Sequence, residues 1–140
     1  MKRYDALKLE NQLCFPLYAA SREVIRRYRP WLDALDLTYT QYIAMMVFWA
    51  EGKISVRDLG SRLYLDSGTL TPVLKSLEAK GFVRRYRCPE DERVVIAELT
   101  PEGAALRDRA LEVPKQAGAC IRLTEQEALT LYELLYKLLE

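Results

Sequence analysis

Ser55-Val56-Arg57-Asp58-Leu59-Gly60-Ser61-Arg62-Leu63, then Tyr64-Leu65-Asp66-Ser67-Gly68-Thr69-Leu70-Thr71-Pro72-Val73-Leu74-Lys75, is the stretch that decides the fold. Ser55 is a good N-cap for a short helix, Val56 to Leu63, because its hydroxyl can accept from an amide of the first turn. Asp66-Ser67-Gly68 breaks the chain, and a second helix runs from Thr69 to Lys80 until Gly81 stops it. Pro72 is tolerable there if it lies in or near the first turn, where few backbone donors have partners. The pattern then changes from helical to extended. Phe82–Arg87 and Val94–Leu99 favour strands, and the polar segment Cys88–Arg93 joins them as a hairpin. Short helix, turn, second helix and hairpin is the order of a winged helix-turn-helix, whose second helix enters the major groove of DNA and whose wing reaches the flanking backbone or minor groove.

Working outward, Thr38-Tyr39-Thr40-Gln41 reads as a capping box, with Thr38 as N-cap and Gln41 three residues on. It opens a very apolar helix from Tyr42 to Ala50, ended by Gly52. Upstream, apolar residues recur at helical spacing from about Asp5 to Arg29, ending at Pro30. Cys14, Tyr18, Ser21, Ile25 and Tyr28 share one face of that helix. Pro16 predicts a kink, or a helix start, beside Cys14. Downstream, Thr100-Pro101 caps a helix that Pro114 ends. A loop of small residues, Ala117-Gly118-Ala119-Cys120, follows, and Thr124 with Glu127 caps a last helix rich in Leu and Tyr up to Leu139. The whole reads as one mainly α domain with a small β-hairpin wing. Segments 1–36 and 101–140 flank a winged helix-turn-helix at 38–99.

The bulk numbers narrow the function. The chain has 140 residues, half of them hydrophobic, and no histidine. That removes His-based triads, His general bases and most zinc chemistry. Three widely spaced cysteines, Cys14, Cys88 and Cys120, fit neither a disulfide framework nor a zinc site. No segment approaches the ~20 apolar residues of a membrane span, and the start lacks a signal peptide, so a cytoplasmic protein with no membrane partner is expected. Net charge is only +1, but residues 53–93 hold nine Lys/Arg against six Asp/Glu, leaving −2 for the remainder. Such a local basic stripe is the footprint expected of nucleic-acid binding. No residue pattern calls for a cofactor.

Several of these segments resemble the DNA-binding core of the MarR family: Leu59-Gly60 with Leu63, Ser67–Pro72, Leu74–Glu78, Gly81-Phe82-Val83, Asp91-Glu92-Arg93 and Leu99–Gly103. Leu9–Phe15, Leu17-Tyr18-Ala19, Ser21-Arg22-Glu23, Tyr28-Arg29-Pro30 and Leu37–Tyr42 resemble one subgroup, the organic hydroperoxide resistance repressors. The likeness weakens after about Leu111. It implies a homodimer whose N- and C-terminal helices form the dimer layer, bound to double-stranded operator DNA. It also implies that a reduced thiol at Cys14 holds the DNA-binding form, with hydroxyls of Tyr28 and Tyr39 donating to the sulfur. Cys14 and Tyr28 lie fourteen residues apart on one helix, about 21 Å at 1.5 Å per residue. They can meet only across a symmetric dimer.

Hydroxyls aimed at sulfur stabilise the thiolate, which is the nucleophile toward a peroxide. Apolar Leu13, Phe15 and Leu17 suit an organic hydroperoxide as inducer. Oxidation gives a sulfenic acid that condenses with a second thiol, either Cys120 as resolving residue or a low-molecular-weight thiol. Cys88 is expected at the wing tip, exposed and incidental. By analogy Ser67, Thr69 and Thr71 start the recognition helix. Lys75, Arg84 and Arg85 would meet phosphates, and Arg93, steadied by Asp91, would enter the minor groove. The competing readings are a thiol peroxidase turning over at Cys14, a MarR-type repressor answering a phenolic ligand, a broader thiol-based stress regulator, and a winged-helix module that binds no DNA. A regulator rather than an enzyme is the expectation.

Overall fold

Local capping chemistry sets most of the element boundaries. The computed structural model describes residues 2–140 and carries seven α-helices and three strands over them. Two short 3₁₀ turns, Asp5–Leu7 and Leu9–Asn11, precede α1, Cys14–Asp33. The helix start beside Cys14 answers the question Pro16 posed. Pro16 occupies the third helical position, where its missing N–H costs nothing. The expectation of a helix from Asp5 is therefore corrected to a start at Cys14.

Pro30 does not end α1, which continues through it. The carbonyl that loses its partner belongs to Arg26, on an exposed stretch where water can bind it. Leu32, 2% exposed, anchors the last turn in the core.

Helix α2, Tyr39–Glu51, opens with both hydrogen bonds of the Thr38/Gln41 capping box and closes on Gly52. Helix α3, Val56–Leu63, is capped by Ser55, as read from sequence. Gly60, inside α3, passes close under the turn that follows. A Cβ there would stand 2.9 Å from the Leu65 carbonyl oxygen, so a larger residue would push the two helices apart. Helix α4, Ser67–Ala79, starts two residues earlier than the sequence pattern suggests, because Asp66 rather than a later residue accepts from the Thr69 amide, at 2.8 Å.

Gly81, at φ +79°, turns the chain into the wing. Strand β2, Val83–Cys88, is shifted by one residue from the predicted run, and β3, Asp91–Leu99, is three residues longer than predicted, which leaves only Pro89-Glu90 as the turn. A third strand, β1, Lys53–Ser55, pairs antiparallel with β3 and places it in the middle of the sheet. Nothing in three residues announced it.

Helix α5, Pro101–Ala110, gives way at Leu111 to α6, Glu112–Ala119. Pro114 sits in the first turn of α6, so it starts a helix instead of ending one. The predicted loop at 117–120 is corrected accordingly: Ala117–Ala119 are helical and Cys120 is the C-cap. Helix α7, Glu125–Leu138, carries the second complete capping box and buries none of its residues.

The core is built where α2, α3 and α4 meet the sheet and α5. Phe48, Met45, Leu59, Leu74 and Leu77 are fully enclosed there. Trp49 Nε1 donates to the Gly103 carbonyl at 2.8 Å and ties α2 to α5. Outside the core, Leu9, Leu13, Phe15 and Leu17 at one end of the chain and Leu129, Leu131, Tyr132 and Leu138 at the other are exposed. Among the described residues no helix is long and apolar enough to cross a membrane.

Candidate redox site and nucleic-acid interface

Helix α1 carries Cys14 in its first turn, exposed, and Tyr28 near its far end. Tyr28 lies against the start of α2. Its ring centroid is 5.1 Å from that of Tyr39 in an edge-on contact, and 6.1 Å from those of Tyr42 and Trp31. Burial pushes the phenols of Tyr28, Tyr39 and Tyr42 above their ordinary value, and the neighbouring phenols push Tyr39 and Tyr42 further the same way. All three therefore keep the O–H proton and remain hydrogen-bond donors well above neutral pH. Tyr42 belongs to the cluster although the sequence singled out only the other two. Its side chain, 4% exposed, is also part of the core.

Tyr28 also lines a crevice between α1 and α6, with Val24, Trp31, Ile121 and Cys120 as further walls. Arg27 reaches across it, donating to the Cys120 carbonyl at 3.3 Å. The same Arg27 and its neighbour Arg26 hold Glu23, whose carboxyl is lowered to about 2, chiefly by the Arg26 hydrogen bond. So Cys120 lies exposed beside Tyr28, toward the opposite end of α1 from Cys14. Cys88 is half-buried at the end of β2, not exposed as expected, and its Sγ donates to Glu90 at 3.1 Å.

The residues expected to meet DNA lie on α4 and the wing. Ser67 and Thr69 stand in the first turn of α4, exposed, and Thr71 donates its hydroxyl to the Ser67 carbonyl at 2.7 Å. Lys75 is exposed one turn further on.

The three wing arginines expected to meet DNA differ. Arg93 projects with its side chain 91% exposed while Asp91 holds its guanidinium in a two-point grip, at 3.0 and 3.1 Å. Arg84 is paired across the sheet with Glu98 in the Arg84↔Glu98 register and stacks on Tyr86. Arg85 is half-buried, its Nε 2.6 Å from Glu78 of α4. Arg84 and Arg85 thus already face carboxylates, and the Arg85–Glu78 pair joins the wing to α4. Sequence reasoning missed both acidic partners, which lie fourteen and seven positions away with no local motif to mark them.

Comparison with known proteins matches this arrangement. The MarR family profile fits residues 37–95, the segment from the α2 cap through most of β3. The organic hydroperoxide resistance transcriptional regulator of Bacillus subtilis is 47% identical over 141 residues, spanning 99% of this chain and 94% of that one. Reduced AbfR of Staphylococcus epidermidis, solved bound to DNA, superposes with a TM-score of 0.77 at 33% identity over 98% of this chain and 95% of its own. Its disulfide-formed state superposes with a TM-score of 0.67 at 33% identity over 99% and 97%. With sequence identity and superposition that extend along almost its full length, the chain belongs to the MarR family of winged-helix transcriptional regulators, in its organic hydroperoxide resistance branch.

Proposed function

We infer that the protein is a homodimeric repressor that binds double-stranded operator DNA and lets go when an organic hydroperoxide oxidises Cys14. The single observation that carries this reading is the placement of Tyr28, Tyr39 and Cys120 together at one end of α1 while Cys14 stands at the other. Two copies of α1 crossing about a two-fold axis bring the thiol of each to the hydroxyls of its partner. The exposed apolar faces of α7 and of the N-terminal segment supply the surface such a dimer covers.

The chemistry follows from that juxtaposition. Phenols that stay protonated donate to the sulfur and stabilise its anion, the attacking form. The thiolate attacks the distal oxygen of the hydroperoxide, the O–O bond breaks, the alkoxide leaves and takes a proton from water to become the alcohol, and Cys14 becomes a sulfenic acid. Condensation with Cys120 of the partner forms a disulfide and releases water. The place of Cys120 beside Tyr28 supports this route, and AbfR's disulfide-formed structure is in keeping with it. Either product removes the tyrosine contacts and disturbs the dimer layer. Two recognition helices must sit about 34 Å apart to enter successive major-groove turns, so a modest shift in that layer breaks their register.

On the DNA side, Ser67, Thr69, Thr71 and Lys75 meet the major groove and its phosphates, and Arg93 enters the minor groove from the wing with Asp91 presetting its fork. Arg84 supplements phosphate contact. Arg85 acts chiefly through Glu78, holding wing and recognition helix as one body.

The test is Cys14→Ser. The variant is expected to bind DNA as the reduced protein does and to remain bound after hydroperoxide treatment, in a gel-shift or anisotropy titration. Release of the variant by a phenolic compound, with no response of the wild type to peroxide, would assign the protein to ligand-controlled repression instead. Many peroxides consumed per chain would mark a peroxidase.

A further inference from the structure

Gln41 is the single buried polar side chain among the described residues, 7% exposed. Its cap duty needs one atom: Oε1 accepts from the Thr38 amide at 3.1 Å. The rest of the amide is turned to the recognition helix. Nε2 donates to Ser76 Oγ at 2.9 Å, and Oε1 also accepts from Lys80 Nζ at 2.9 Å. Lys80 in turn donates to the carbonyl of Asp36 and stands 3.8 Å from its carboxylate. Segment 36–41 therefore has two sides. Tyr39 packs on Tyr28, while Asp36 and Gln41 grip the C-terminal half of α4 and its cap. Elsewhere α2 and α4 meet through apolar side chains of the core. Such contacts are non-directional and let helices slide, whereas buried hydrogen bonds fix direction and distance.

We propose that Gln41, Ser76 and Lys80 form a polar strap that transmits displacement of the Tyr39 turn to the recognition helix. Gln41 is a positioning residue: it touches neither the thiol nor DNA. The proposal rests on the reading above, in which oxidation at Cys14 disturbs Tyr39. Without the strap, the Tyr39 turn moves but α4 keeps its pose in the groove.

The test uses the full chain, Ser76→Ala and Lys80→Met singly and together, so that the Thr38/Gln41 cap is retained. The probe is a duplex selected from a random-sequence pool by the reduced wild type, with cumene hydroperoxide as oxidant. Cys14 oxidation, followed by mass spectrometry, is expected at the wild-type rate in every variant. The factor by which oxidation weakens DNA binding is expected to fall at least fivefold in the double variant, within the usual range of coupling between two sites. Should the double variant not fold, Ser76→Ala alone is held to a threefold fall. A smaller fall, with the wild type released normally, overturns the strap and leaves the redox reading standing. Reduced variants that bind no better than oxidised wild type also overturn it, since the three residues would then build the DNA face rather than relay to it. A wild type that stays on the duplex after complete oxidation overturns the redox reading and the strap with it.

Discussion

Arg93 shows how much a single side chain's surroundings say about its task. A free surface arginine samples many rotamers, but Asp91 holds this one extended in solvent by two hydrogen bonds. The ordering cost is met before DNA arrives. Arg93→Ala is expected to weaken binding to the selected duplex and to reduce the slope of log K against log salt by about 1, as loss of one cation from the minor groove, between its two rows of phosphates, requires. Anisotropy titrations at several salt concentrations measure it. The tyrosine cluster makes a second prediction at this scale. Phenols of Tyr28, Tyr39 and Tyr42 hold their protons more tightly folded than unfolded. Their contribution to stability is therefore complete below the unfolded value, about 10, and is lost as pH rises through the higher folded values. Urea midpoints should fall above about pH 10, and less steeply in Tyr28→Phe.

At the scale of the element, helix α4 depends on its first turn. Asp66 accepts from Thr69 N, and that bond keeps its carboxyl below the ordinary value. The same turn carries Ser67 and Thr69, the residues proposed to meet DNA. Asp66→Ala is expected to cost about 1 kcal/mol of stability in denaturant unfolding, and Asp66→Asn much less, because the amide oxygen still caps. Hydrogen exchange should locate the loss of protection in the first turn of α4. The wing shows a related dependence. Its two strands are held by the sheet register and by β1 on the far side, while Glu78 and Arg85 fasten β2 to α4. Reading helix and wing thereby move together, which suits a protein whose output is the spacing of whole DNA-binding units.

The whole molecule is unfinished as one chain. Helix α7 has no buried residue, yet it carries Leu129, Leu131, Leu134 and Leu138 among its exposed side chains. A soluble monomer rarely leaves such a face open. Leu131→Glu with Leu138→Glu is expected to give a monomer by sedimentation and to abolish tight DNA binding, while the core around Phe48 remains folded. The wild type should show a melting temperature that rises with protein concentration, as mass action demands of a dimer.

The parts of this protein fixed by neighbours in the chain were legible in its sequence. Both capping boxes, the Ser55 cap, the helix-turn-helix order and the hairpin each follow from local chemistry within a few residues, and the family likeness followed from the same segments. Where the readings failed, a distant partner had decided. Burial of Leu32 carried α1 through Pro30, and pairing with β3 made Lys53–Ser55 a strand. Pro114 began a helix and drew Cys120 out of its expected loop to a place beside Tyr28. The acidic partners of Arg84 and Arg85 and the grip of Gln41 on Ser76 belong to the same class. Those contacts join elements seven to thirty-five positions apart. Only packing brings such groups within hydrogen-bond reach, because local periodicity sets which face a residue occupies but not what stands opposite it.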